Sequence, residues 1–191
     1  IILFGAAQAQ QVTINTVVKD PFNGKALDTV YKGKEGTWYF QSYNNSIIKT
    51  TYRPADYTKY EQVTDAVMNK PPAVTTKITN AVSQTVEYPN QTSVVIQRER
   101  LYYKTGKEVR VKAATYFTQG DYRGFRFQLS DNEQLFGGGE RATPMNRRGQ
   151  RLNLYNTGAY NYGLGEANLS FSVPMVISSN GYALFFDNPS K

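Results

Sequence analysis

Leu135-Phe136-Gly137-Gly138-Gly139-Glu140-Arg141 opens the stretch that decides how this chain folds, and the stretch runs on to Asn188. Three consecutive glycines followed by an acid are more than a surface turn requires. They relax the backbone and let another element approach closely. Glu140 and four arginines, Arg141, Arg147, Arg148 and Arg151, then fall close together. A polar segment, Gln150–Thr157, leads into a Gly/Tyr/Asn-rich loop from Gly158 to Asn168. Two apolar runs follow, Ser172–Ile177 and Tyr182–Asp187, separated by Ser178-Ser179-Asn180-Gly181. Asn180-Gly181 signals a two-residue hairpin, because a type I′ turn needs positive φ at both central positions. The stretch therefore reads as a strand, a wide polar loop and a closing hairpin.

Upstream, the chain repeats strand signals. Gln11–Lys19 alternates Val12, Ile14, Thr16 and Val18, the period of a half-buried strand. Asp20-Pro21-Phe22-Asn23-Gly24 is a turn, since Pro presets φ and Asn-Gly accepts positive φ. Thr37–Gln41 is an aromatic strand holding Trp38, Asn44-Asn45 turns, and Ile47–Tyr52 returns. Ala55–Lys70 fits helical spacing loosely and strand spacing less well, and Pro71-Pro72 ends it. Strands then follow at Val74–Thr79, Val82–Tyr88, Ser93–Arg98, Leu101–Lys104, Glu108–Gln119 and Tyr122–Leu129. Glu108–Gln119 alternates most cleanly, with Val109, Val111, Ala113, Thr115 and Phe117 in phase. Short strands at this spacing predict an all-β antiparallel sandwich with at most one short helix. Residues 10–191 read as a single such domain.

Composition removes whole classes of chemistry. The 191 residues contain no cysteine and no histidine. That excludes a disulfide framework, thiolate nucleophiles, Ser-His-Asp hydrolysis and histidine zinc sites. The sequence calls for no cofactor and no metal. The net charge is +7, but no run of five or more Lys or Arg exists, so the balance reads as a solvated basic surface rather than a nucleic-acid interface. Ile1-Ile2-Leu3-Phe4 followed by Ala7-Gln8-Ala9 has the pattern of a signal-peptide tail. Residues 1–9 are therefore expected to be a leader remnant, and the protein to be exported, periplasmic or extracellular. The run is too short to span a bilayer.

Sugar hydrolysis needs two carboxyl groups across the scissile bond, about 5–5.5 Å apart for retention and about 6.5–9.5 Å for inversion. Glu140, Asp121, Asp131, Glu133, Glu166 and Asp187 lie near turn or loop signals, and the sequence pairs none of them. Glu140 could line a cleft, or it could pair with a nearby arginine and fix its loop. Amides, hydroxyls and ring faces at Asn156, Thr157, Tyr160, Asn161, Tyr162 and Asn168 suit sugar hydroxyls and C–H faces, though an ordinary polar loop has the same composition. Tyr102, Tyr103, Phe117, Phe125, Phe127, Phe185 and Phe186 alternate in strands and are assigned to packing.

From Phe136 to Asn188 the chain resembles the end of the N-terminal β-sandwich of family-31 glycoside hydrolases, which are α-glucosidases, α-xylosidases and relatives. The resemblance rests on ordered segments: Phe-Gly-Gly-Gly-Glu-Arg, Leu-Tyr-Asn-Thr, Ser-Val-Pro-Met-Val-Ile-Ser and Gly-Tyr-Ala-Leu-Phe-Phe-Asp-Asn. Two positions depart from the family wording. Gly138 replaces a leucine, and Gly158 stands where many members carry an aspartate that reaches the sugar.

The resemblance implies a galactose-mutarotase-like supersandwich, without mutarotase chemistry, since that depends on histidine. It implies the non-catalytic N-terminal domain of an α-glycosidase, most simply an α-glucosidase, whose catalytic aspartates lie on a following barrel. The partners it implies are an α-linked oligosaccharide and that barrel. It gives Asn156, Thr157, Tyr160 and Tyr162 to the substrate side, and Glu140 and Arg141 to the interdomain junction. The residues alone leave a second reading, a free-standing carbohydrate-binding β-sandwich. An apolar face that the barrel would cover is expected near Phe185-Phe186.

Overall fold

The computed structural model describes residues 10–14, 18–19, 26–27, 29–43, 46–56, 75–79, 83–120, 122–158 and 160–187. The expected leader at 1–9, the turns at 20–24 and 44–45, and nearly all of the ambiguous stretch 55–70 lie outside these residues. The chain divides into two compact units, Ile1–Gln128 and Leu129–Lys191.

The first unit is built from β1 (Gln10–Ile14), β2 (Val18–Lys19), β3 (Ala26–Leu27), β4 (Thr29–Lys32), β5 (Gly36–Ser42), β6 (Ile48–Pro54), β7 (Thr75–Thr79), β8 (Ser83–Glu87), β9 (Thr92–Gln97), β10 (Arg100–Thr105), β11 (Glu108–Gln119) and β12 (Tyr122–Gln128). Seven strands form one antiparallel sheet in the order β1-β7-β8-β9-β10-β11-β12, and β4-β5-β6 form another. The only helical turn among the described residues is the 3-10 turn Pro89–Gln91. The all-β reading therefore holds. Within the strand expected over Gln11–Lys19, β1 pairs with β7 and β2 with β3, and residues 15–17 lie outside the described residues.

Alternation builds the core. Register places Val86 opposite Val94, Ile96 opposite Leu101, and Leu101 opposite Ala114, so one apolar stripe crosses the large sheet. Each of these side chains is buried. Full burial of a Val, Ile or Leu side chain stabilises by about 1.5–3 kcal/mol. Trp38 and Phe40 of the β4-β5-β6 sheet are also buried, and that sheet meets the large sheet through aromatic rings. Trp38 meets Phe125 at 5.8 Å and Tyr52 at 4.6 Å between ring centroids, and Tyr52 meets Tyr116 at 4.3 Å. Thr50 Oγ1 and Tyr103 OH lie 2.5 Å apart in the same interface. Burial holds the Tyr103 phenol well above its ordinary range, so it stays neutral.

β11 departs from its sequence pattern in one instructive way. Ala113 has φ 48, and the register with β12 shifts between Lys112 and Thr115. This is a bulge, and one extra residue moves the later side chains to the other face. Val111, Ala114 and Tyr116 therefore face the core instead of an unbroken Val109-to-Phe117 series. Phe117 lies instead across Gly124, where an added Cβ would meet its ring at 3.2 Å, with the Arg126 guanidinium 5.0 Å from the ring centre. The β9–β10 hairpin is also unusual. Its two turn residues, Arg98 and Glu99, have φ 50 and 62, the type I′ geometry normally given to Asn-Gly. Glu99 Oε1 accepts a hydrogen bond from Lys34 N at 2.9 Å, which ties this hairpin to the β4–β5 turn.

The second unit has three short strands, β13 (Leu135–Gly137), β14 (Met175–Ser178) and β15 (Tyr182–Phe185), joined in that order. β14 starts later than the apolar run Ser172–Ile177 because the chain before it is committed elsewhere. Ser172 N donates to Asn156 Oδ1, Phe171 O accepts from Glu140 N, and Pro174 has no N–H to give. The closing hairpin is not the expected two-residue turn. Ser178 pairs with Tyr182, so the loop is Ser179-Asn180-Gly181, and only Gly181 takes positive φ, at 76. Gly181 N donates to Ser178 O and Asn180 N to Ser178 Oγ, the pattern of a three-residue hairpin ending in a left-handed glycine.

Candidate functional site

The candidate site is the long connection between β13 and β14, residues 138–174, which holds no regular strand among its described residues. A connection of this length is either functional or linker-like, and this one is cross-tied along both its stems. Its base is the glycine run. Gly137, Gly138 and Gly139 have φ 106, 81 and 92. A Cβ on Gly137 would sit 2.4 Å from Met175 O, and one on Gly139 would sit 2.3 Å from Phe171 O. One on Gly138 would meet Leu152 Cδ1 at 2.6 Å. The close approach read from the sequence is therefore real, and the approaching element is the chain entering β14.

Two buried arginines hold the connection. Arg141 Nη2 donates to Gly138 O at 2.9 Å, Asn153 O at 2.8 Å and Ser172 Oγ at 3.5 Å. Its Nη1 donates to Ala167 O and, at 2.9 Å, to Asn168 Oδ1. Arg147 Nε donates to Gly137 O at 3.1 Å, and its Nη1 reaches Thr143 Oγ1 at 2.6 Å and Pro144 O at 2.9 Å. Burial first, and then the nearby Arg147 charge, hold the Arg141 guanidinium below its ordinary value. It remains a cation, as arginine does in proteins.

The expected ion pair of Glu140 with one of these arginines does not form among the described residues. Glu140 is exposed, and its backbone N–H, not its carboxylate, makes the tie, to Phe171 O at 2.8 Å. The arginines take carbonyl acceptors because the glycine run brings peptide groups, rather than carboxylates, within reach.

The carboxylate that is used is Glu133, 3% exposed. It accepts from Ser130 N at 2.8 Å, Ser178 Oγ at 2.6 Å, Asn180 Nδ2 at 2.8 Å and Tyr182 OH at 2.5 Å. Arg148 Nη1 donates to the Ser130 and Glu133 carbonyls beside it, at 2.6 and 2.9 Å. Burial alone would raise the Glu133 carboxyl, but the donors from Ser178, Tyr182 and Ser130 and the Arg148 charge outweigh it. The carboxyl is held below the usual carboxylate range. Burial and the bond to Glu133 push the Tyr182 phenol up to about 12. Sequence reading had Glu133 only as one acid among several near turns. No local signal marks it, since its partners lie in the closing hairpin.

The four residues read as sugar contacts separate into two pairs. Asn156 Oδ1 accepts from Ser172 N at 2.8 Å, and Thr157 Oγ1 donates to Asn168 O at 3.0 Å. Both tie the loop to the returning chain. Tyr160 and Tyr162 are 97% and 58% exposed, so their rings are free to stack on a ligand. Gly158 has open space around its Cα direction, with nothing within 4 Å of an added Cβ.

The sheet carrying the loop has an apolar outer face. Register puts Phe136 beside Ile177 and Ala183, and Met175 beside Phe185, on one side. Ile177 and Phe185 are each 47% exposed. The opposite side carries Val176, Ser178, Tyr182 and Leu184, with Ser178 buried.

Comparison with known proteins places this arrangement. Residues 10–191 match the family described as the glycosyl hydrolase 31 N-terminal galactose mutarotase-like domain. An α-xylosidase of Emericella nidulans is 34% identical over 77 residues, which is 40% of this chain and 9% of that protein. A family-31 dextranase of Flavobacterium johnsoniae, solved with isomaltotriose, superposes with a TM-score of 0.66 at 17% identity, covering 96% of this chain and 22% of that one. A family-31 α-xylosidase of Xanthomonas citri gives a TM-score of 0.59 at 16% identity, covering 97% of this chain and 19% of that one. The chain thus spans about a fifth of the length of these solved relatives.

Proposed function

Because this chain belongs to the galactose mutarotase-like N-terminal domain family of the family-31 glycoside hydrolases, we propose that it serves an exported α-glycosidase as its non-catalytic N-terminal domain. The observation that carries this reading is the family match over residues 10–191. The substrate is an α-linked oligosaccharide, and the enzyme is of the α-glucosidase type. The bond-breaking carboxylates belong to a catalytic barrel on the same polypeptide. The open apolar face of Ile177 and Phe185 is the surface that barrel covers, since monomeric proteins seldom leave such faces bare. The 156–168 loop reaches the sugar, with Tyr160 and Tyr162 as stacking rings. Export is supported by the small-residue pattern after Ile1–Phe4.

The direct test compares this 191-residue chain with the full-length polypeptide on an aryl α-glucoside. The full-length protein is expected to turn it over and the chain alone to give no rate above background. Turnover by the chain alone would overturn the reading. So would saturable oligosaccharide binding by a full-length protein without hydrolysis, which would favour a binding module.

Gly158 offers a second measurement. The space around it admits a side chain, and its φ lies outside the left-handed range, so Gly158→Asp should fold normally. A carboxylate there would regain the sugar contact that the family resemblance assigns to this position. A charge-assisted hydrogen bond is worth about 1.5–3 kcal/mol. The expected result is a tenfold or larger fall in KM for the oligosaccharide. An unchanged KM would show that the loop does not reach the sugar at this point.

A further inference from the structure

We propose that Arg141 is the positioning residue of the sugar-facing loop, fixing where the loop leaves the sheet and hence where Tyr160 and Tyr162 are presented. The proposal rests on the reading of the loop given above. Its geometric ground is separate. The Arg141 guanidinium binds both stems of the loop at once, Asn153 O on the outgoing side and Ala167 O with Asn168 Oδ1 on the returning side. The same group binds Gly138 O and Ser172 Oγ at the sheet edge. One planar fork therefore joins four chain segments, and it is buried.

The backbone ties around Arg141 follow the same line. Ala142 N donates to Glu166 O at 3.0 Å and Gly165 N to Ala142 O at 2.7 Å. Thr157 N donates to Leu169 O at 3.0 Å. Beyond these ties the tip stands in solvent, with Tyr160 97% and Leu164 102% exposed. The described residues of the tip, 158 and 160–166, are all exposed, so its direction is inherited from the stems. Acceptors on both terminal nitrogens need the rigid fork of arginine. A lysine ammonium places all its donors on one atom and cannot bridge both stems.

The test uses Arg141→Lys and Asn168→Ala in the full-length polypeptide, with two readouts. The first is amide hydrogen exchange at Ala142, Thr157 and Gly165, compared with Val86, Val94 and Ile96 in the other unit. The second is the separate measurement of KM and kcat on an α-linked oligosaccharide. Arg141→Lys is expected to speed exchange at the three loop amides at least tenfold and leave the other three unchanged. KM should rise several-fold, and kcat should stay within about twofold. Asn168→Ala, which removes one acceptor and no charge, should show a smaller effect of the same kind and covers the case in which Arg141→Lys does not fold.

Unchanged loop exchange in both variants would overturn the proposal. Acceleration at all six amides together would also overturn it, since that marks a general structural role. Faster loop exchange with an unmoved KM would leave Arg141 as the loop's anchor and instead remove the sugar contact on which the reading of the loop depends.

Discussion

Gly139→Ala is expected to unfold the second unit or lower its stability by more than about 4 kcal/mol, an exceptional loss that overpacking combined with a strained φ can cause. Gly139 has φ +92, where an L-residue is strained by about 1–3 kcal/mol before any contact is counted. Its Cβ would then stand 2.3 Å from Phe171 O and 2.7 Å from Ser172 Cα. Both are backbone atoms, so no rotamer change relieves the overlap. Phe171 O also accepts the Glu140 N–H bond, and moving it aside breaks that tie. Gly163→Ala is the matched control, because its Cβ meets nothing within 4 Å. It should change stability by no more than about 0.5 kcal/mol. Thermal unfolding of the two variants followed by near-ultraviolet dichroism decides the matter. Equal midpoints would mean that the close approach at 137–139 does not support the fold.

Glu133→Ala is expected to cost about 3 kcal/mol, and Tyr182→Phe roughly 1 kcal/mol. Removing the carboxylate leaves donors from Ser130, Ser178, Asn180 and Tyr182 without their acceptor, and each unsatisfied buried group costs about 1–3 kcal/mol. Some of that is recovered where Ser130 Oγ already accepts from Asn180 Nδ2 at 3.1 Å. The pH dependence has a definite sign. The folded carboxyl is held below its ordinary value, so its stabilisation is complete above the unfolded value of about 4.3 and is lost as pH falls through the folded value. Tyr182 acts on the opposite limb. Its phenol is raised, so stabilisation is complete below about 10 and is lost as pH rises toward about 12. Glu133→Gln should flatten the acid limb of a denaturation-midpoint profile, and Tyr182→Phe should flatten the alkaline limb. Parallel profiles for wild type and Glu133→Gln would show that the carboxyl does not titrate differently in the folded state.

The longer strands of the first unit could be read from alternation because β-pleating converts period two directly into burial, whereas the short β3 and β4 were not among them. Glu108–Gln119 was bounded correctly from end to end. What periodicity could not show was the bulge at Ala113, since alanine carries no signal for positive φ and the pattern of apolar residues continues through it. The facing of Phe117 was therefore misassigned. The glycine run gave its meaning away because only a close approach explains three in a row. The closing hairpin was read one residue short, because Asn180-Gly181 fits a two-residue turn as well as the end of a three-residue loop.

At the candidate site, composition identified the polar loop but not the division of labour within it. Asn156 and Thr157 have the same chemistry whether they bind a sugar or the returning chain, and only the fold brings Ser172 N and Asn168 O to them. Glu133 and Arg147 were missed as anchors for the same reason. Their partners are mostly peptide groups and hydroxyls, which no residue pattern distinguishes.

Trp38 is the chain's single tryptophan, and it lies wholly in the first unit against Tyr52 and Phe125. Emission excited at the red edge of the spectrum, where tyrosine does not absorb, therefore reports on that unit's sandwich alone. Tyrosine absorbance, by contrast, sums over fifteen residues that lie in both units. One optical signal thus follows the first unit and the other the whole chain, and a melt recorded in both would show, as a transition seen in absorbance and not in emission, whether the loop-bearing half opens while the sandwich stays closed.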